Sequence, residues 1–190
     1  RQMCIRDSGW KARNENMVPI SVNVSISDIA ALDVAQVLWE LVQKYQLEPK
    51  LLLVEITESM LAQNLKMVEN TIAALHRKGF AVLMDDFGSG YSSLNMLNQV
   101  HFDILKLDMK FIQTETAKPG EMSIMRFVVN LAKWLNLSTV AEGVETKAQL
   151  ARLRDVGCDY AQGYYFSRPL PVQEFEKLLA AEKKRLEDEE

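Results

Sequence analysis

From Pro19 onward, short apolar β-type runs alternate with amphipathic helical stretches, and this alternation restricts the possible folds more than any other feature. Pro19–Ser25 puts Val22 and Val24 on one side and Ser21, Asn23 and Ser25 on the other. Val34, Val37, Leu38, Leu41, Val42 and Tyr45 then recur at helical spacing behind an Asp33/Gln36 cap, and Glu48-Pro49 ends that helix. Further strands are predicted over 51–58, 80–86, 103–108 and 137–142, and a last one from Ala161-Gln162 through Tyr164–Phe166. Helices are predicted over 63–78, ending at Gly79, over a short 93–99 stretch and over 121–136. Two more run from a Thr146/Gln149 cap to Gly157 and from Val172 onward. Strands alternating with helices predict a parallel sheet with helices outside it.

Nearly every predicted strand ends in a residue that apolar packing would not select: Asn23, Glu55, Asp85, Lys106, Glu142 and Gln162. In a (β/α) barrel all strand C-termini open on one face, so these six side chains converge on one mouth, whereas an open doubly wound sheet spreads them along an edge. The expected fold is therefore α/β, a (β/α)8 TIM-type barrel. Such a barrel takes about 250 residues and eight strands. Six strands in 190 residues make about six of the eight β/α units. The two missing units are expected upstream of Gly9, which makes the chain a piece of a longer protein. The expected organisation is an unmatched segment 1–8, a partial barrel over 9–181 and a charged tail over 182–190.

Composition removes several functional classes. Lys and Arg number 22 against 26 Asp and Glu, a net charge of −4 without a basic patch. Long nucleic acid, whose binding needs many Lys/Arg–phosphate contacts, is therefore a poor partner. A small anion is still admissible where metal ions or single lysines supply local positive charge. There is no apolar run of the roughly 20 residues that cross a bilayer, and the N-terminus (RQMCIRDS) does not read as a signal peptide. Cys4 and Cys158 fit no CxxC or zinc spacing, so the expected location is the reducing cytoplasm.

Asn23, Glu55, Asp85, Asp86 and Glu142 form an oxygen-rich set free of His and Cys, the kind that hard cations such as Mg²⁺ or Mn²⁺ take. Adjacent aspartates at a strand end diverge, so Asp85 can face the mouth while Asp86 reaches a second ion. Such crowded carboxylates repel one another unless cations neutralise them. Two ions suit phosphodiester hydrolysis, one activating water and the other holding the leaving oxygen. Any one of these acids reads as easily as a solvated strand end or a helix cap; four acids and an asparagine gathered at strand ends do not.

Lys106, flanked by Leu105 and Leu107, points with Ile104 into the barrel, where it would orient water or neutralise phosphate; an ion pair with Asp108 is the plainer alternative. Gly88 and Gly90 are spaced wrongly for a Walker A loop and read as a mobile flap beside the metals. Glu58 either braces that flap or caps the next helix. His76 and His101 fall away from strand ends and are not expected as ligands, and Trp39 and Trp134 read as helix packing.

SVNVS with Asn23, VEITES with Glu55 and Glu58, MDDFGSGYSSL, ILKLD, VAEGVET and AQGYYFSRPL follow one another in order and together resemble the EAL domain, from about Trp10 to Phe175. The resemblance implies a bacterial phosphodiesterase that hydrolyses cyclic di-GMP to linear pGpG. It implies that Asn23, Glu55 and Asp85 hold one Mg²⁺ or Mn²⁺, and that Asp85 and Asp86 help hold a second. Lys106 and Glu142 would position or activate water, the choice of general base staying open between Glu142 and metal-bound hydroxide. Gln162 would line the site, and Glu58, Gly88 and Gly90 would form and brace the flap. Asp108 and Glu145 would support the site, and Thr146 would be structural. A homodimer, and fused sensory or GGDEF domains outside these residues, are implied as partners, with membrane anchoring of the parent left open.

One departure matters. The Glu-Ala-Leu motif, which carries a metal-binding Glu and is followed by a substrate-binding Arg, is absent from the 190 residues. The parent is therefore expected to be active and the isolated chain inactive, with open sheet edges near Val22 and Tyr165. The competing class is a non-catalytic module that binds cyclic di-GMP or a protein; intact acids at every visible ligand position weigh against it. An unrelated metal-dependent barrel with Lys106 as base would explain the carboxylates but not the ordered motifs.

Overall fold

The structure, a computed structural model, describes residues 7, 9–10, 17–87, 97, 99–108 and 124–189. Among the described residues six strands form one sheet: β1 (Ile20–Asn23), β2 (Leu52–Thr57), β3 (Val82–Phe87), β4 (Ile104–Leu107), β5 (Ser138–Ala141) and β6 (Tyr160–Ala161). They lie side by side in chain order, every neighbouring pair parallel. This is a half-barrel, part of a TIM-type barrel, with β1 and β6 at its two edges. Parallel neighbours in chain order require each connection to cross over outside the sheet, which is where the helices lie.

Among the described residues the complete α-helices are α1 (Ile26–Ala31), α2 (Val34–Lys44), α3 (Glu58–Arg77), α4 (Ile124–Trp134), α5 (Lys147–Val156) and α6 (Val172–Glu189). Their starts follow local chemistry. Ser25 and Asp28 form a reciprocal capping box at α1, as Thr146 and Gln149 do at α5, and Asp33 Oδ1 accepts from the Gln36 amide at α2. Gly157, in the left-handed region at φ 77°, ends α5, a conformation that costs glycine little.

Burial follows the same logic. The central strands are covered on both faces, so Val54, Glu55 and Ile56 of β2 and Val82, Leu83, Met84 and Asp85 of β3 are buried in succession. Val42, Val68, Ile72, Leu75, Val128 and Val129 on the helices pack onto them, each such side chain contributing about 1.5–3 kcal/mol. β1, at an edge, alternates instead: Ile20 and Val22 are half-buried and Ser21 and Asn23 exposed. Trp10, helical and buried, donates from Nε1 to Glu176 Oε1 at 2.6 Å and lies with its ring tilted against Phe175, tying residue 10 to α6.

Three expectations are corrected. The last strand stops at Ala161; Tyr164–Phe166 form a turn, in which the Phe166 amide bonds back to the Gly163 carbonyl. The helix expected from residue 63 starts at Glu58 and kinks at Asn64, whose side chain accepts from the Met67 amide and so caps the second segment locally. Trp134 does not pack; it lies 85% exposed at the end of α4.

Candidate functional site

Lys106 is the third residue of β4 and is buried, with side-chain exposure of 8%. Its Nζ lies 3.0 Å from Asp85 Oδ1, 3.1 Å from Glu55 Oε1 and 3.3 Å from Glu142 Oε1. Four side chains from β2, β3, β4 and the end of β5 therefore meet at one point on the C-terminal side of the sheet. The register explains how. Asn23 pairs with Glu55 and Thr57 with Asp85, so the strand ends are staggered around the curve of the sheet.

The break in β3 adds aim. Register with β4 shifts between Met84 and Phe87, and Asp86 between them sits at φ 57°. Aspartate tolerates this left-handed conformation better than most residues. The turn lets the Asp86 amide donate to Asp85 Oδ1 at 2.9 Å while Asp86 itself is exposed. A bulge of this kind re-aims side chains beside functional sites.

The electrostatics are lopsided. Burial opposes the charge on Lys106, but its bond to Asp85 and the negative charges of Glu142 and Glu55 outweigh it, raising the ammonium above lysine's usual range. Burial also works against ionisation of Asp85, and Lys106 with the Asp86 amide more than compensates, so its pKa is lowered. Glu142 goes the other way: burial and the neighbouring Asp85 charge outweigh Lys106 and raise it. One cation among three carboxylates thus leaves the site short of positive charge.

Of the sequence-selected residues, Glu55, Asp85, Lys106 and Glu142 are brought together directly. Asn23 lies beside Glu55 in register, exposed at the end of β1, where it helps line an open cleft of about 360 Å³ with Ser25, Asp28, Thr57 and Met60. Glu58 opens α3 immediately after β2 and is buried. Asp108 is half-buried one residue past β4, and Lys106 takes Glu55, Asp85 and Glu142 as its acidic partners. Gln162 follows β6 with its side chain exposed; its backbone carries the contact, the amide donating to the Ala141 carbonyl and the carbonyl accepting from Val144. Glu145 is exposed, and its amide donates to Gln149 Oε1. Gly88 and Gly90 lie outside the described residues. His76 bonds Asp103 at 2.9 Å, away from these strand ends. Gly163, packed against the backbone of Val144, has no signal in the sequence beyond following Gln162.

Among the described residues no three or more His, Cys, Asp or Glu side chains are grouped as a metal-binding cluster; the three gathered carboxylates face the Lys106 ammonium. In donor chemistry the site nonetheless fits a hard cation. Asn23, Glu55, Asp85 and Asp86 offer only oxygen at neighbouring strand ends, and the carboxylates exceed the positive charge available.

The sequence pattern of the EAL domain matches residues 2–169, beginning within the segment 1–8 that the sequence sets apart. Cyclic di-GMP phosphodiesterase RocR of Pseudomonas aeruginosa is 37% identical over 159 residues, which cover 83% of this chain and 40% of that protein. The crystal structure of the EAL domain of Mycobacterium smegmatis DcpA is similar with a TM-score of 0.84 and 33% identity, over 94% of this chain and 80% of that one. A Klebsiella pneumoniae BlrP1 complex with manganese and cyclic di-GMP is similar with a TM-score of 0.77 and 26% identity, over 88% of this chain and 43% of that one. The chain spans 20–40% of the length of the curated relatives it matches.

Proposed function

Because the chain belongs to the EAL domain family, we propose that it forms most of the catalytic mouth of a phosphodiesterase that opens cyclic di-GMP to linear pGpG. The observation that carries this reading is the Lys106 ammonium held within 3.3 Å of Glu55, Asp85 and Glu142 at the strand ends. Support for the substrate comes from the names of the relatives RocR and BlrP1.

In this reading Asn23, Glu55 and Asp85 hold one Mg²⁺ or Mn²⁺, and Asp85 and Asp86 help hold another. Such ions, when bound, make water a stronger nucleophile and neutralise phosphate charge. Lys106, whose pKa is raised, stays protonated at neutral pH. It therefore acts as a hydrogen-bond donor that orients water or offsets charge on the phosphate, and not as a base. Glu142, whose pKa is raised, is the carboxylate of the three best suited to receive the proton released by water. The oxygen of water joins phosphorus, one ring P–O bond breaks, and the departing ribose oxygen takes up a proton. Gln162 lines the mouth, and Glu58 with Gly88 and Gly90 serves the flap beside it.

We further propose that the activity belongs to a longer, cytoplasmic, homodimeric protein carrying sensory or GGDEF domains. The 190 residues contain no Glu-Ala-Leu segment, so on this reading they do not turn over alone. No helix among the described residues is long and apolar enough to cross a membrane.

The test is incubation of cyclic di-GMP with the purified full-length protein and Mg²⁺ or Mn²⁺, followed by chromatography. Appearance of pGpG that stops on chelation supports the reading. Tight nucleotide binding without turnover would move the protein to the class of non-catalytic cyclic di-GMP receptors, and neither binding nor turnover would remove the substrate.

A further inference from the structure

We propose that Gly163 is a positioning residue that sets the place of Glu142 at Lys106. The kinetic part of this inference rests on the reading of the mouth given above; its structural part does not.

Glu142 lies just past β5, in a stretch without regular structure that runs through Gly143 and Val144 to Glu145. One end of the stretch is fixed by the sheet, through the Glu142 amide donating to the Leu107 carbonyl at 3.1 Å. The other end is fixed at Val144, which is fully buried. Its amide donates to the Gln162 carbonyl at 3.0 Å, and its carbonyl accepts from the Tyr165 amide at 2.9 Å. Val144 is thus gripped on both sides by the turn that follows β6.

That grip requires the two backbones to touch, and Gly163 is the point of touch. A Cβ at residue 163 would overlap the carbonyl oxygen and amide nitrogen of Val144 and lie 2.8 Å from its carbonyl carbon. These are backbone atoms, unable to rotate aside as a side-chain tip would. A side chain at 163 must therefore push Val144 away. Gly143, in the left-handed region at φ 68°, is the only residue between Val144 and Glu142, so the displacement passes to the Glu142 carboxylate. That carboxylate holds the longest of the three contacts to Lys106, at 3.3 Å, and is the most exposed of the three acids. It is the one most easily lost. A misplacement of about 1 Å at a reacting group costs on the order of a hundredfold in rate.

The experiment compares Gly163→Ala with Gly157→Ala in the full-length protein. Gly157→Ala strains a left-handed helix end remote from Glu142 and controls for lost stability alone. The first readout is the ¹⁵N signal of the Lys106 ammonium. It should shift or vanish in Gly163→Ala and stay in place in Gly157→Ala; an unmoved signal in a folded Gly163→Ala would overturn the proposal. The second readout is kinetic. Gly163→Ala should lower kcat about tenfold or more with KM little changed, and the same substitution made in a Glu142→Ala background should change kcat less than about twofold. Equal losses in both backgrounds would mean that Gly163 does not act through Glu142. If Gly163→Ala fails to fold, Tyr165→Pro removes the amide that holds the Val144 carbonyl without adding bulk at 163, and the same two readouts decide. If the native protein shows no hydrolysis, the functional reading falls while the ammonium signal still answers for Gly163.

Discussion

Lys106 Nζ and Asp85 Oδ1 stand 3.0 Å apart across β3 and β4, where the register of those strands breaks between Met84 and Phe87. Met84 pairs with Leu105 just before them, which sets Asp85 and Lys106 next to each other on the two strands. With Asp86 turned into the left-handed region, its amide and the Lys106 ammonium both meet one oxygen of the Asp85 carboxylate, Oδ1. Asp85 is thereby held ionised and oriented before any ligand arrives.

Replacing Lys106 by Met should destabilise the metal-free protein by about 3 kcal/mol, the cost of leaving buried acids without their cation. Urea unfolding gives this directly. The same substitution should tighten Mn²⁺ binding, since one competing positive charge is gone. Weaker Mn²⁺ binding by Lys106→Met in a calorimetric titration would show that the ammonium supports the metal site and does not compete with it.

Asp85→Asn keeps the shape of the side chain and removes its charge. Hydrolysis of cyclic di-GMP by the full-length protein should fall at least about a hundredfold, and Mn²⁺ affinity should fall with it. Near-native turnover in this variant would mean that Asp85 is not a ligand. Chelation of the native protein should produce the same loss, and added Mn²⁺ should reverse it.

The capping box of α1 predicts an acid-dependent effect. The side-chain bond from Ser25, then its amide, hold the Asp28 carboxyl below the ordinary aspartate value of 3.8. A depressed folded-state pKa stabilises the protein above the unfolded value and loses that contribution as pH falls through the lower, folded one. Asp28→Ala should therefore melt below the native protein at pH 7, and the gap should narrow as pH drops below 3.8. A gap that stays constant down to the acid limit would mean that the charge of Asp28 contributes nothing.

Thr139, fully buried in β5, donates from both its amide and Oγ1 to Asp159 Oδ2 at 2.8 Å, and its Oγ1 accepts from the Asp159 amide at 3.1 Å. This staple joins the N-terminal ends of β5 and β6, opposite the mouth. Thr139→Val should cost about 1–2 kcal/mol in stability, read as a lower urea midpoint, without altering KM. A raised KM would mean that β6 carries more of the site than its strand end suggests.

Much of this protein is decided by local sequence. The helix starts at Ser25, Asp33 and Thr146 are short-range bonds between side chains and nearby amides, so they are legible in the residues themselves. The polar residues that end otherwise apolar strands are legible too, because an apolar sheet interior does not select Glu55, Asp85 or Lys106. Their common location at one mouth follows once the strands are taken as parallel neighbours. The sequence could not reveal distances or turn geometry. It does not show that Tyr164–Phe166 leaves the strand, since Tyr and Phe favour strands and only the backbone contact at Gly163 turns the chain. Nor does it show that Trp134 stays in solvent, because helical spacing gives a tryptophan on α4 no side until the helix packs. Which carboxylates reach Lys106 was likewise decided in three dimensions. Asp85 and Asp86 are adjacent and chemically identical, yet the first is buried against the ammonium and the second is exposed.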